Sequence, residues 1–263
     1  MFIGKKMTDR YTKIAFKQTV KKEWLNRTLE LVCAGYTEDE IRKTLYEYLT
    51  SCATVGEEEK KRSNNTCKMA VNMLSCWFRK DEILHSFRND LIEEAKKVDS
   101  EKWLPLHMAM MSASYPFWFN ACSVTGKLFS YQDVVSTSQI YDKMKSIYGD
   151  KSTILTDTRY AISTMWSWGM VKRAENMKNC FQLSPRFDVT DPKMQSLLYE
   201  AILLAKPVGK ALYEEIYRNM GIFAFHCDYI SSTMVEKLTK GRVHTINYGL
   251  TTEYLCLDKA ENL

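Results

Sequence analysis

The sequence predicts a mainly α-helical fold in three parts, and three observations predict it. Proline (5) and glycine (10) are scarce among 263 residues, whereas strand-rich folds need many turns and use more of both. Apolar side chains recur at helical spacing through most of the chain. Strand-like alternation is confined to short stretches near residues 128, 171, 180, 242 and 251. With 45% hydrophobic and 26% charged residues, the composition is that of a folded, soluble chain with a real core, not a disordered one.

The first part, residues 1–100, reads as four helices. Ile14, Val20, Trp24, Leu25, Leu29 and Val32 mark a helix over 10–34, ended by Gly35. Thr37, Glu38, Asp39 and Glu40 form a capping-box pattern that opens a second helix, Ile41 to Leu49. A charged loop from Glu57 to Thr66 leads to a third helix, 67–78, and Ile83, Phe87, Leu91 and Ala95 stripe a fourth over 82–98. Residues 29–49 have the order of a helix-turn-helix, but the long loop before the next helix favours an ordinary bundle.

The second part, residues 104–190, begins with Pro105 near a helix start, where its missing N–H costs nothing. From Trp103 to Gly126 there is no Asp, Glu, Lys or Arg, a length that could span a bilayer. The stretch also holds His107, Asn120 and several serines, so it reads as a buried helix pair, bent or restarted at Pro116. A short strand is expected at Leu128–Tyr131, then helices over 133–147 and 153–167, parted by Gly149, Asp150 and Lys151. Strands at Val171–Arg173 and Cys180–Leu183 flank a polar tip from Ala174 to Asn179, and a loop from Ser184 to Pro192 closes the unit. The third part, residues 191–263, is expected to hold helices near 193–205, 208–219 and 229–240, then a hairpin of 242–248 and 251–257 around Gly249.

From Pro105 the order is therefore helix, short strand, helix, three-residue turn, helix, strand, polar loop, strand. Over residues 104–187 this resembles the winged-helix family of DNA-binding domains, in topology alone, since that family has no diagnostic string. The resemblance implies a helix, 152–167, laid in the major groove and a hairpin that tracks the backbone. The same family also supplies docking and dimerisation modules, so a packing role stays open.

Helical spacing sends Leu155, Ile162, Met165 and Trp166 to the core and Thr153, Thr156, Asp157, Arg159, Tyr160 and Ser163 to other faces. A groove-facing helix needs short polar side chains for close approach and an arginine for phosphate or guanine, and Arg159 is its one internal cation. Lys151 stands at the helix start, where free N–H groups attract phosphate. Lys172, Arg173 and Lys178 lie on the hairpin. Lys17 and Lys21 belong to a basic segment, residues 1–30, which carries eight basic side chains against three acidic ones. These ten residues, Lys151, Thr153, Thr156, Arg159, Tyr160, Lys172, Arg173, Lys178, Lys17 and Lys21, form the candidate nucleic-acid face. Asp157 argues against it, because a carboxylate near phosphate is repelled unless it reads a cytosine or pairs with Arg159. The helix and hairpin at 229–257 repeat the helix-then-wing order, with Lys237, Lys240, Arg242 and His244 adding basic character, or form a plain cap.

Catalysis is not expected. No two of the eight cysteines have C-x-x-C spacing, no histidines pair as H-x-x-x-H, and no P-loop, G-x-G-x-x-G or G-x-S-x-G string occurs. No metal or cofactor is expected, and the cysteines, set in apolar stretches, read as buried thiols of a cytosolic protein. The expected partner is double-stranded DNA, bound without catalysis as a regulator or as an accessory subunit of a DNA-processing complex. A protein partner or a homodimer remains open, and neither a membrane nor a small-molecule substrate is expected. The competing reading is a protein-interaction adaptor that docks through the same unit.

Overall fold

The computed structural model describes residues 10–14, 16–51, 53–54, 60–249 and 252–258, and the fold is mainly α. The first helices are α1 (Lys22–Cys33), α2 (Glu38–Ser51), α3 (Asn64–Leu74) and α4 (His85–Ala95), with a two-residue ladder, β1 (Ala53–Thr54) and β2 (Lys60–Lys61), before α3. Next come α5 (Leu104–Ser114), α6 (Pro116–Phe129), β3 (Val134–Ser136), α7 (Thr137–Tyr148), α8 (Ser152–Ser167), β4 (Val171–Arg173), β5 (Cys180–Leu183) and β6 (Phe187–Val189). The chain continues with α9 (Pro192–Ala205), β7 (Lys210–Leu212), α10 (Tyr213–Tyr217), β8 (Phe225–Cys227), α11 (Ser232–Leu238), β9 (Val243–Tyr248) and β10 (Thr252–Leu257).

The uncharged stretch becomes the centre of the molecule. Every residue of α5 is buried, and α5 lies against α9, buried from Met194 to Ala205. A helix that is apolar on all sides must be covered on all sides, and here protein covers it. Among the described residues no helix is long and apolar enough to cross a membrane. Pro116 separates α5 from α6 and starts the second helix.

Four boundaries depart from expectation. The chain over residues 16–20 is extended rather than helical: Phe16 stacks on buried Trp118 at 5.4 Å, and the Val20 N–H donates to Thr164 Oγ1 at 3.0 Å. Tertiary contacts there outweigh a helical pattern of only two apolar residues, Ile14 and Val20. The strand expected at 128–131 lies at Val134–Ser136, because Leu128 and Phe129 finish α6 against the core. The segment at 208–219 starts as β7, drawn out by pairing with β10, and turns helical only at Tyr213. The loop at 184–192 contains β6, which pairs in parallel with β8. The turn Gly149–Lys151 falls where expected, with Gly149 at φ +82, a left-handed conformation that suits glycine. Ser136 and Gln139 close a capping box at the start of α7.

Two stretches share one plan. In the first, α6, β3, α7, α8, β4 and β5 follow one another, and the sheet order is β3-β5-β4. In the second, α9, β7, α10, α11, β9 and β10 come in that order, with β8 inserted between α10 and α11, and the sheet order is β7-β10-β9. In each, the last strand pairs between the first two. A close contact links them: a Cβ at Gly126 of α6 would run into the Met220 carbonyl oxygen and lie 2.7 Å from the Phe223 Cβ. Gly126→Ala is therefore expected to destabilise the protein by about 1–3 kcal/mol, read by urea denaturation, since backbone leaves no room for the methyl group.

Buried ion pairs bind three segments together. Asp90 of α4, 3% exposed, accepts from Lys193 (2.7 Å), Lys240 (2.8 Å) and Arg242 (2.9 Å). Arg242 also grips Glu200 of α9 through two nitrogens, at 2.7 and 2.8 Å. Lys240 and Arg242, which in sequence only add basic character to the C-terminal hairpin region, are thus joints between α4, α9 and that hairpin. His244 pairs likewise, with Asp258 at 3.0 Å and Glu236 at 3.5 Å.

Candidate nucleic-acid interface

The exposed face of α8 is a polar stripe. Ser152, Thr153, Thr156 and Arg159 are exposed, Ser163 is half-buried, and Trp166 is 45% exposed. Positions 152, 156, 159, 163 and 166 step by four and three, so they fall on one side of a helix. The opposite side carries Ile154, Ala161, Ile162 and Met165 into the core. Trp166, expected in the core, faces out instead, and buried Ile154 fills the inward row. Seven residues, two turns, separate Trp166 from Arg159, so the sequence held this signal; aromatic identity outweighed it. Tyr160 is half-buried and packs against the core, which leaves it at the edge of the stripe.

The hairpin continues the stripe. β4 is an edge strand, with Lys172 opposite Gln182 and Arg173 opposite Phe181. Successive strand residues point to opposite faces, so Lys172 and Arg173 address different sides of the sheet. Arg173 takes the α8 side, with its guanidinium 4.5 Å from the Trp166 ring centre. Lys178 is exposed at the hairpin tip, where Asn176 and Asn179 adopt left-handed φ values of 57 and 56. Lys151 is exposed at the N-cap of α8.

Asp157 does not face outward with Arg159. It is 2% exposed and receives Lys17 Nζ at 2.7 Å. Burial pushes its carboxyl above the usual range, and the Lys17 contact opposes that rise. Lys17, grouped by sequence with the phosphate-binding cations, therefore neutralises a core carboxylate. The extended chain beside it is fixed to the far end of α8, where Trp168 Nε1 donates to the Val20 carbonyl at 2.9 Å. Lys17→Met should strand Asp157 and cost about 1–3 kcal/mol in chemical denaturation. Adding Asp157→Asn should recover most of that loss, and a double variant no better than the single one would refute the pairing.

Beside Trp166 the stripe opens into a cleft of about 580 Å³ between α8 and the N-terminal segment. Lys21, Arg62, Ser163 and Trp166 line it, and Trp24 forms part of its wall. Lys21 lies 5.8 Å and Arg62 4.9 Å from the Trp24 ring centre. Of the expected ten residues, Lys151, Thr153, Thr156, Arg159 and Arg173 are exposed along α8, its N-cap and the strand beside it, and Lys21 lines the cleft next to Trp166. Lys178 is exposed at the hairpin tip, and Lys172 is exposed on the other face of β4 from Arg173. Arg62 and Trp166 were missed: Arg62 sits in a charge run read as a solvated loop.

One histidine and several cysteines lie in the core, whereas His85 and His226 are exposed and Cys33, Cys180 and Cys227 are half-buried rather than buried as expected. His107 is fully buried, hydrogen-bonded to Asn26 at 2.8 Å, and burial lowers its pKa to about 3, so it is neutral. Cys76 is buried and its thiol is pushed up to about 12. Among the described residues no group of three His, Cys, Asp or Glu is placed to hold a metal. No protein-family model, curated protein or solved structure matches the chain.

Proposed function

We propose that this protein binds double-stranded DNA without catalysing a reaction, as a regulator or an accessory subunit of a DNA-processing complex. In this reading residues 104–187 act as a winged-helix unit, α8 enters the major groove, and the hairpin tracks the backbone. The observation that carries the reading is the exposed stripe of α8. It offers short hydroxyl side chains and one arginine where a groove demands close approach, and the one carboxylate of α8 turns inward to Lys17. The element order and the β3-β5-β4 strand order support it further. Residues 192–257 share the strand order of the first unit, but Lys193, Lys240 and Arg242 there are bound in internal ion pairs. DNA contact is therefore assigned to the first unit.

The test is fluorescence anisotropy with a labelled random duplex and the matching single strand, titrated at several salt concentrations. Duplex binding that weakens steeply with salt is expected. No duplex binding at low salt would overturn the proposal and turn attention to a protein partner docked on the same face.

A further inference from the structure

A pocket of about 530 Å³ lies where the N-terminal segment meets the start of α6, away from the α8 stripe. Arg10, Lys13, Arg79 and Lys80 line it, and the one carboxylate among its lining residues is Asp81. Asp81 is already engaged: its Oδ1 accepts from the N–H groups of Ile83 and Leu84 at 3.0 and 3.2 Å. Four cations thus face one carboxylate across a concave site, a net excess of three positive charges.

Two polar atoms there lack partners among the described residues. Arg10 donates to the Ala113 carbonyl through Nη2, while its buried Nη1 meets nothing. Ser114 lines the same pocket at 7% exposure, and its Oγ is also unpartnered. Unsatisfied buried donors are costly, so a pocket whose lining residues hold two of them calls for a ligand. Burial holds the Arg10 guanidinium below its usual range, Asp81 offsets this in part, and the like charge of Arg79 lowers it further. Arg88, just behind, donates to the Arg79 carbonyl and adds to the positive field. The pocket wall includes Pro116 and Phe117, the first turn of α6, which has no side-chain cap. The Phe117 N–H has no intrahelical acceptor at that position, and the helix dipole adds positive potential.

We propose that this pocket binds a phosphate-type dianion, with Arg10 and Arg79 as its charge partners and Ser114 as a hydroxyl donor. A tetrahedral anion offers several acceptor oxygens, enough to meet both guanidinium groups and the hydroxyl at once. A monovalent halide would leave donors unmet. The phosphate could belong to a DNA backbone or to a free phosphate compound, and the site does not depend on the DNA reading.

The test is calorimetric titration of the full chain with inorganic phosphate at constant ionic strength, with chloride as the matched control and thermal melting in parallel. Saturable one-to-one binding is expected, with a melting midpoint several degrees higher in phosphate than in chloride. Arg79→Gln should weaken phosphate at least tenfold and abolish the phosphate-specific rise. Ser114→Ala, a milder change, should keep the fold and weaken phosphate several-fold, which covers the case of a misfolded arginine variant. Duplex titration then separates the sources. If Arg79→Gln lowers the salt slope of duplex binding by about one, the pocket holds a backbone phosphate. An unchanged slope with phosphate binding intact assigns it to a free phosphate compound. Absence of saturable phosphate binding, with equal melting in phosphate and chloride, overturns the site.

Discussion

Combined replacement of Arg159→Ala, Lys172→Ala and Arg173→Ala is expected to weaken duplex binding by about ten- to a thousandfold at moderate salt while leaving the fold intact. All three side chains are exposed, and none forms part of the core. Each lost phosphate contact removes about 0.9 from the slope of log affinity against log salt, so the slope should fall by about two to three. Arg173→Ala alone also unstacks Trp166, which ties the hairpin to α8. An arginine that reads a base rather than a phosphate would betray itself differently. Arg159→Ala would then relax sequence preference at one position and leave the salt slope nearly unchanged. A triple variant that binds as well as the wild type, with the same slope, would remove α8 and the hairpin from the interface.

The second large effect lies far from that face. Arg242→Ala should destabilise the protein by about 3–5 kcal/mol, because it leaves Asp90 and Glu200 buried without their shared partner. In a chain of this size that is a fall in melting midpoint of about 10 °C. The same network predicts a pH dependence. Hydrogen bonds from Lys193, Lys240 and Arg242 overcome the burial of Asp90 and hold its carboxyl at about 2, below the unfolded value near 4. An acid whose folded pKa is depressed contributes stability that is full above the unfolded pKa and is lost as pH falls through the folded one. Stability should therefore decline between about pH 4 and pH 2, and Asp90→Asn should flatten that limb. Equal acid limbs in the two proteins, followed by tryptophan fluorescence, would exclude Asp90 as the titrating group.

Much of the architecture was legible because local chemistry and tertiary need agree there. The Gly149 turn, the Thr37 and Glu40 capping box and the hairpin between Val171 and Leu183 are each fixed by residues within a few positions of one another. Elsewhere the determining contacts are distant. Nothing near Phe16 or Val20 indicates that they will pack on Trp118 and Thr164, so the extended strap read as helix. Lys210 to Leu212 become a strand only through pairing with Tyr254 to Cys256. Charges were the least legible. Lys17, Lys240 and Arg242 look like surface cations in sequence, yet each answers a buried carboxylate 42 to 152 positions away. The ordinary assumption that a lysine or arginine faces water fails where an acid on another helix is buried first. Asp157 is the converse case. It weighed against DNA binding as a neighbour of Arg159, but the helical turn places it on the inner face with Lys17.

The central claim, that the outer stripe of α8 touches duplex DNA, is tested most directly by site-specific photo-crosslinking. A benzophenone side chain placed at position 156, exposed and mid-stripe, should crosslink to labelled duplex on irradiation. The same group at position 229, 67% exposed on the C-terminal stretch, should crosslink weakly or not at all. Crosslinking at 229 with none at 156 would contradict the account and move the interface to the other end of the molecule.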